Sequence, residues 1–451
     1  MASPPPVPRA SPPPIPLLTP PLAPLPIPPS YVVALADDLS GAAETARALG
    51  GPVRVSLDAG VLTGIDGAHD LVVDLDTRHL SPAEAADAVR TALRSALRSA
   101  LRSAPRPGRS VASTRLLYKK VDSQLRGHLA VEAAAYAEGA EAVVIAPALP
   151  ATRRTVTGGV VHVDGVPLHR TDGWRAEAVS PPRSLAEALP GIPIRTVPLA
   201  VVRSERAVLE REFRNIAASG AHPAPDAETD ADLDAVAEAV LRLGTGFRLL
   251  GSAGLAAALG RTRSRPAAAA PRPAPWPAPE LARNQAPLLF VVGTAEPGAA
   301  AQIAHLTALG AHHVPLNPAG LAAGTVRLPP TADALTVLSI DGSGGPRPGR
   351  GRTLSTALAA LAAAHPGRPD LVLTGGETAR ATLDALGTRE LEPLGEIHHG
   401  AVHSRTPDGR HVVTRPGSHG GEDSLLRIAL ALRPHLAAAP AATRPAGTRP
   451  L

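Results

Sequence analysis

Residues 31–49 read YVVALADDLSGAAETARAL, and this stretch sets the pattern for the rest of the chain. Six apolar residues typical of a buried strand end at two carboxylates, Asp37 and Asp38, and a helical segment follows them. Similar apolar runs recur in LVVDLDT from Leu71 and AVVIAP from Ala142, with helical segments between them. Strands that alternate with helices in this way predict βαβ units and a largely parallel sheet.

A second set of strands and helices follows a segment rich in Pro, Ala and Arg at residues 261–286, which we predict to be a linker. The predicted fold class is therefore α/β, with two α/β domains whose sheets are largely parallel and an active site in the cleft between them. The predicted domain boundaries are 30–260 and 287–435. Residues 1–29 hold 14 prolines and are predicted to be a disordered extension, and residues 436–451 a disordered tail.

Three local predictions accompany this architecture. The LRSA repeat of residues 93–104 extends a helix that begins after Pro82. Asp164 and Gly165 form the two-residue turn of a β-hairpin. Residues 203–243 are predicted to be helical.

The composition excludes several classes of protein. The 451 residues include no cysteine, which excludes disulfides, thiol catalysis and cysteine-bound zinc and suits a cytoplasmic location. The net charge is only +5 and aromatic residues make up 2%, so nucleic acid is not an expected partner. No apolar run approaches the roughly 20 residues that a membrane span needs, so no membrane partner is expected either.

Ligands of open α/β sheets bind beyond the carboxyl ends of the strands, which makes the acidic pair Asp37 and Asp38 a candidate site. Two carboxylates at a strand end can orient hydroxyl groups, accept a proton or hold a metal ion. The alternative is that one carboxylate caps the following helix while the other faces water. Ser40 is a further candidate for the helix cap, and Gly41 allows a tight turn.

The segment YKKVDSQLRG, from Tyr118, is a candidate anion site. It holds the two lysines of the whole chain among 45 basic residues, and a helix is predicted to start near Gly127. A helix N-terminus offers free N–H groups to an anion, and an arginine adds a planar fork that suits a carboxylate. The candidate ligands are Lys119, Lys120, Asp122, Ser123 and Arg126.

Three glycine-bearing turns in the second domain are candidates for binding a nucleotide, because each allows a phosphate to approach the backbone at a helix start. They contain Thr294, then Gly375, Gly376, Glu377 and Thr378, and finally Gly417 and Gly420. The chain has neither a GxxxxGK[ST] loop nor a GxGxxG motif after its first strand, so its motifs support neither a Walker NTPase nor a typical dinucleotide-binding dehydrogenase.

Two further groups of residues carry little chemistry by themselves. Arg153 and Arg154 occupy a loop after a strand, but arginine is the common cation of this chain. Five histidines lie close in sequence without the spacing of a zinc site, and we predict them to be surface residues of loops and strands: His398, His399, His403, His411 and His419.

The order of these motifs resembles the four-carbon acid sugar kinases, which phosphorylate threonate, erythronate or 3-oxo-tetronates with ATP. The matching motifs are ALADDLSGA, KKVDSQLRG, PALPATRRT, VDGVPL, GTAEP, TGGETA and RPGSHG, and they span nearly all of residues 31–433. Gln124 stands where the family usually has Thr, and Arg153 where it usually has Gly.

The resemblance implies that the first domain holds the sugar acid and the second holds ATP. It implies catalytic roles for Asp37, Lys120 and Asp122. Substrate-binding roles follow for Asp38, Lys119, Ser123 and Arg126, with Arg126 at the substrate carboxylate. The three glycine turns, including Thr294, would surround ATP.

Mg²⁺ is expected from the reaction itself, and no metal-ligating residue is assigned. The expected partner is a small-molecule sugar acid, and a homodimer is left open. The alternative function is a catalytically weak protein of the same fold that binds a nucleotide and a sugar acid for regulation.

Overall fold

The structure is a computed structural model, and it describes residues 31–65, 69–102, 115–174, 177, 179–263, 281, 284–293, 298–328, 333–342, 351–417 and 420–438. The predicted extension at residues 1–29, most of the predicted linker and Thr294 lie outside these residues. Within the described chain, no helix is long and apolar enough to cross a membrane.

Residues 31–263, here called the N-terminal half, alternate between strands and helices as predicted. The elements are β1 (Tyr31–Ala36), α1 (Leu39–Leu49), β2 (Val53–Ser56), β3 (Asp70–Asp74), α2 (Pro82–Arg102), β4 (Arg115–Lys120), α3 (Leu129–Ala137), β5 (Ala142–Ala146), β6 (Arg154–Thr157), β7 (Val160–Val163), β8 (Val166–Pro167), α4 (Leu185–Ala188), β9 (Ile194–Val197), α5 (Leu199–Val202), α6 (Arg206–Ala218), β10 (His222–Pro225), α7 (Asp230–Leu243), β11 (Phe247–Gly251) and α8 (Ala253–Arg263).

Residues 281–438, the C-terminal half, repeat the alternation and end in a hairpin, a strand and a helix. The elements are β12 (Leu288–Val292), α9 (Gly298–Ala308), β13 (His312–Leu316), α10 (Pro318–Ala322), β14 (Leu335–Ile340), α11 (Gly351–Ala363), β15 (Asp370–Thr374), α12 (Gly376–Ala385), β16 (Glu390–His398), β17 (Ala401–Arg405), β18 (His411–Arg415) and α13 (Ser424–Leu432). A short 3₁₀ helix at Pro434–Ala438 follows, and Leu436 packs against the core of this half.

The predicted α/β class is confirmed, because thirteen strands form one mostly parallel sheet. Its order is β13-β14-β12-β15-β18-β17-β16-β2-β3-β1-β4-β11-β5. Strands β1 and β12 are apolar along their whole length, β15 is apolar between Asp370 and Thr374, and all three are buried, as central strands covered by helices on both faces should be. The larger apolar core includes residues of both halves, so the halves share one packed interior.

Two of the local predictions are confirmed and one is partly wrong. Helix α2 extends through the LRSA repeat as far as Arg102, and residues 103–104 lie outside the described residues. Strands β7 and β8 form the hairpin around Asp164 and Gly165, both of which have positive φ. The prediction of helix over residues 203–243 missed β10, a strand that lies between α6 and α7 in the chain and pairs with β9. The sequence of β10, HPAP, contains two prolines. Proline lacks the N–H group that a strand inside a sheet needs, so the sequence argued against a strand here.

The two halves are connected by a short antiparallel pairing between β2 and β16, in which Ser56 lies opposite Glu390 and Val55 opposite Leu391. Arg380 of α12 reinforces this connection. Its Nη1 donates to Asp74 Oδ2 at 2.9 Å and its Nη2 donates to the Leu57 carbonyl at 2.9 Å. We call this pairing and the bonds of Arg380 the joint. The pairings of β2 with β16, β16 with β17 and β17 with β18 are all antiparallel, and β18 is parallel to β15. After these three reversals, the parallel strands of the C-terminal half run opposite to those of the N-terminal half.

Helix α1, which starts beside the acidic pair, packs closely on α8 at a glycine. A methyl group added at Gly260 would lie 2.5 Å from the Leu49 carbonyl oxygen and 2.7 Å from that of Ala48. Both neighbours are backbone atoms, which cannot move away as a flexible side chain would. The absence of a side chain at Gly260 therefore sets the distance between the two helices.

We expect Gly260→Ala to lower the free energy of unfolding by roughly 1–3 kcal/mol, because the helices must separate to admit the methyl group. Urea denaturation measures the change. Gly64→Ala is the matched control, since a methyl group there would meet nothing within 4 Å. Wild-type stability of Gly260→Ala would show that α1 and α8 are not held at this distance.

Candidate functional site

A small polar cleft lies at the carboxyl ends of β1, β4 and β11, where the loop after β18 also reaches it through Pro416. Charged side chains dominate its lining: Asp38, Glu44, Arg78, Lys120, Asp122, Arg126 and Arg154. The cleft therefore includes most of the polar residues predicted from the first two motifs, together with three charged residues that the sequence did not single out.

The two carboxylates after β1, Asp37 and Asp38, have different roles. Asp38 caps α1, with its Oδ1 accepting a hydrogen bond from the Gly41 N–H at 2.9 Å. Ser40 lies inside the helix, so its predicted role as the cap is wrong. Asp37 does not face water: it is buried, and its Oδ2 accepts from Arg78 Nε at 2.8 Å.

The electrostatics of Asp37 follow from these neighbours. Burial by itself would raise the pKa of Asp37, but attraction to Arg78, Lys119 and Lys120 outweighs burial and lowers that pKa. Within the described residues, Asp37 Oδ1 and the Ser40 hydroxyl are buried without a hydrogen-bond partner. The turn after β1 thus presents two oxygen atoms whose bonding capacity the described chain leaves unused.

The two lysines of β4 point in different directions. Lys119 is fully buried, and its Nζ lies 2.8 Å from Glu132 Oε2 and donates to the Lys120 carbonyl. Lys120 lines the cleft and lies against the start of α1, because a methyl group added at Gly41 would be 2.8 Å from Lys120 Nζ. Of the two, only Lys120 is placed to meet a ligand in the cleft.

Arg126 and Asp122 form a tight ion pair. Arg126 Nε donates to Asp122 Oδ2 at 2.7 Å and Nη2 donates to Oδ1 at 3.1 Å. Burial would raise the pKa of Asp122, but Arg126, Arg78 and Lys120 lower it far below its usual range. The fork of Arg126, predicted to face a substrate carboxylate, is thus bonded to a carboxylate of its own loop.

Three cleft residues were missed by the sequence analysis: Glu44, Arg78 and Arg154. Glu44 lies one helical turn after Ser40, so the i, i+4 spacing in LSGAAE was the signal for its position. Arg78 directly follows LVVDLDT, so its place at a strand end was the signal, and the pairing of β3 with β1 brings it to Asp37. Arg154 donates from Nη1 to Ser123 Oγ at 2.7 Å, and nothing in an arginine-rich chain distinguished it from Arg153.

The glycine turns of the C-terminal half meet at the carboxyl ends of neighbouring strands. The Gly293 N–H donates to the Thr374 carbonyl, and the Gly375 N–H donates to the Arg415 carbonyl at 2.9 Å. Gly375 has a φ of +97°, which only glycine adopts without strain. Thr378 is buried, and a methyl group at Gly293 would collide with its hydroxyl oxygen. Thr378 therefore packs beneath the turn and does not face the solvent.

The last glycine turn encloses a buried arginine. Arg415 is fully buried, burial lowers its pKa to about 10, and its Nη1 donates to Ser424 Oγ at 3.1 Å. Gly420 has a φ of +87° and lies directly over Ser424. Gly417 is half-buried just after Pro416, which lines the cleft.

The start of α12 lies against the acidic pair of the other half. A methyl group added at Gly376 would be 2.9 Å from Asp38 Oδ2 and 3.6 Å from Ser40 Oγ. Glu377, one residue later, lines a groove between α11 and α12. Two helix N-termini, those of α1 and α12, therefore converge on the turn that holds Asp37, Asp38 and Ser40.

The prediction that the clustered histidines are surface residues is wrong for His403. This residue is fully buried, its ring stacks on that of His411 with centroids 5.0 Å apart, and the two rings share a hydrogen bond of 2.8 Å. His403 belongs to β17 and His411 to β18, whose pairing brings the rings together. His419 lies outside the described residues.

Residues 32–259 match a family model described as a sugar-binding N-terminal domain, and residues 325–425 match one described as a nucleotide-binding C-terminal domain. A Cupriavidus necator protein named D-threonate kinase is 34% identical, over 87% of this chain and 95% of its own. A Bordetella bronchiseptica protein of the same name is 31% identical, over 89% and 98%. A solved Haemophilus influenzae protein of the DUF1537 family shares the fold, with a TM-score of 0.61 at 18% identity over 88% and 98% of the two chains.

Glu44 provides a test of the electrostatics of the cleft. Burial, and to a lesser extent the charges of Asp38 and Asp122, raise the pKa of Glu44 to about 7 against the lowering effect of Lys120 and Arg154. A carboxyl whose pKa is higher in the folded state contributes stability at low pH, and this contribution is lost as the pH rises through that pKa.

We expect Glu44→Gln to unfold with nearly wild-type free energy at pH 5 and to be more stable than the wild type at pH 8. The expected difference is on the order of 1 kcal/mol, because the ionised carboxylate is no longer buried. Urea denaturation at several pH values measures it, with the exposed Glu141→Gln as control for the loss of one negative charge. A difference that stays constant between pH 5 and 8 would contradict the raised pKa.

Proposed function

The chain belongs to the four-carbon acid sugar kinase family and is a sugar-acid kinase, and we propose that it transfers the γ-phosphoryl group of ATP to a hydroxyl group of a threonate-type acid. The observation that carries this proposal is the contact between Gly376 and Asp38, which places the start of α12 at the mouth of the polar cleft. The names of the relatives support threonate as the first acid to test, followed by erythronate and 3-oxo-tetronates. The same names do not favour a catalytically weak regulator.

ATP would bind with its phosphates at the start of α12. Gly375 and Gly376 carry no side chain that would cover the first N–H groups of that helix, although the Gly375 N–H itself donates to the Arg415 carbonyl. The positive end of the helix dipole favours negative charge there. The other glycine turns, with Thr294, Gly417 and Gly420, would border the nucleotide. Glu377 would lie beside it, while Thr378 supports the turn from beneath through its contact with Gly293.

The acidic turn offers Mg²⁺ one carboxylate oxygen, and the described residues contain no group of three or more His, Asp or Glu side chains that could hold a metal ion. This ion prefers carboxylate oxygens and keeps several waters, and Asp37 Oδ1 is a buried carboxylate oxygen that no described residue bonds. Asp37 and the Ser40 hydroxyl, which both lack a hydrogen-bond partner among the described residues, would hold the ion. When bound, Mg²⁺ neutralises charge that develops on the phosphate oxygens.

The sugar acid would occupy the cleft itself. Lys120 is the cation that we place beside the transferring phosphoryl group, with Asp38 fixing the start of α1. Lys119 positions β4 from below through Glu132. Asp122 and Ser123 would face the acid. Glu44, whose pKa burial raises to about 7, would accept the proton of the attacking hydroxyl.

A coupled ADP-release assay with a panel of sugar acids tests this function directly. We expect ATP consumption only when a four-carbon acid is present. If no acid of the panel leads to ATP consumption, the kinase proposal is overturned for this panel. The cytoplasmic location stays a prediction, and the homodimer stays open.

Gly376 provides the matching structural test. We expect Gly376→Val to raise the KM for ATP by on the order of tenfold or more, because the side chain blocks the approach of phosphate to the backbone and collides with Asp38. Steady-state kinetics measures the change, and the exposed Gly64→Ala is the control with unchanged KM. A folded Gly376→Val enzyme with wild-type affinity for ATP would refute the placement of the phosphates.

A further inference from the structure

We propose that Arg154 recognises the carboxylate group of the substrate, an assignment that rests on the proposed function. The sequence pointed to Arg126 for this role. The pairing of charges within the cleft points to Arg154, which lies 28 residues further along the chain.

The three arginines that line the cleft differ in what they bind. Arg78 contacts the carboxylates of Asp37 and Asp38, at 2.8 and 3.4 Å. Arg126 uses its fork on Asp122. Arg154 makes no ion pair with any described residue: Nη1 donates to Ser123 Oγ, and Nε is buried without a hydrogen-bond partner in the described chain.

Arg154 is half-buried, so its guanidinium has lost part of its water without gaining an ion pair in return, which is an unfavourable arrangement for a charge. Burial accordingly lowers the pKa of Arg154, whereas the pKa of the paired Arg126 is raised, chiefly by Asp122. An anion that enters the cleft would meet an arginine with unused donors. A planar carboxylate suits such a fork better than a single point charge does.

The backbone holds Arg154 in place before any ligand arrives. Arg153 adopts a left-handed conformation with a φ of 54° and ends the 3₁₀ turn of Pro150–Thr152. Two hydrogen bonds then link the backbones of Leu149 and Arg154, at 2.8 and 3.2 Å. The guanidinium is fixed from the other side by Ser123, in the loop after β4. The position of Arg154 is therefore set by two separate segments.

Arg154 also lies at the end of the cleft where the substrate carboxylate would be far from the phosphates. It shares that end with Leu149, which follows β5, and Ser252, which follows β11. The predicted phosphate position is at Asp38, after β1, and β1 and β11 are two strand spacings apart, about 10 Å. A short acid bound by Arg154 at its carboxylate would extend a hydroxyl past Lys120 toward Asp38, and its own charge would stay away from the phosphates.

The test pairs variants of Arg154 with two ligands, D-threonate and its uncharged amide. We expect Arg154→Gln to lower kcat/KM for D-threonate by on the order of 10²-fold while the KM for ATP changes little. The inhibition constant of the amide should change little in the same variant, because the amide lacks the charge that Arg154 recognises. Arg154→Lys keeps the charge and loses the fork, and should fall between the wild type and Arg154→Gln.

Arg261→Gln is the control, since this exposed arginine pairs with Asp234 on the outside of the N-terminal half. Equal losses for acid and amide would assign Arg154 a merely structural role, and unchanged acid kinetics would refute the proposal. If the wild type consumes no ATP with any acid, calorimetric binding of D-threonate to the wild type and to Arg154→Lys still decides it. A weaker affinity in the variant then supports Arg154 while the kinase function fails, and equal affinity refutes both.

Discussion

The arrangement of the active cleft depends on one guanidinium, that of Arg380. Its donors reach Asp74 Oδ2 and the Leu57 carbonyl in the N-terminal half, while its Nε donates to Asp384 within α12 at 2.9 Å. Arg380 lies one turn after Gly376, so the bonds that fix it also fix the start of α12. Burial raises the pKa of its partner Asp74 to about 7, although the charge of Arg380 opposes this. The contact between Gly376 and Asp38 follows from this attachment.

Within the cleft, the described ionic side chains are organised by pairing. Asp37 and Asp38 share the single charge of Arg78, and Asp122 pairs with Arg126, so each of these carboxylates contacts a guanidinium before a substrate enters. Lys120 and Arg154 are the cations of the cleft that make no ion pair with a described residue. Such an arrangement keeps the site folded in water and reserves two positive charges for a substrate that brings its own negative charges.

The sequence predicted where polar groups would gather, but not which of them would face a ligand. Strand ends are local features that the pattern of apolar runs predicts, and Asp37, Lys120 and Gly375 lie at the strand ends where that pattern predicted them. Successive side chains of a strand alternate between its faces, so one of Lys119 and Lys120 had to point away, yet only packing against Glu132 decides which. The partners of Asp37 and Asp122 depend on contacts such as Arg78 with Asp37, 41 residues apart. In a chain rich in arginine, composition cannot distinguish Arg154 from Arg153.

The antiparallel pairing at the joint limits how this architecture can change in evolution. In a flat sheet, strands running in opposite directions would put the carboxyl ends of β1 and β15 at opposite edges. Six steps separate them, and a twist of about 20–25° per step adds up to about 120–150°, which turns the two ends toward one another. Gaining or losing one strand between them would rotate the C-terminal half away from Asp38. Strands beyond β13 or β5 would not, so lineages of this fold should vary at its outer edges and keep the strand number at its centre.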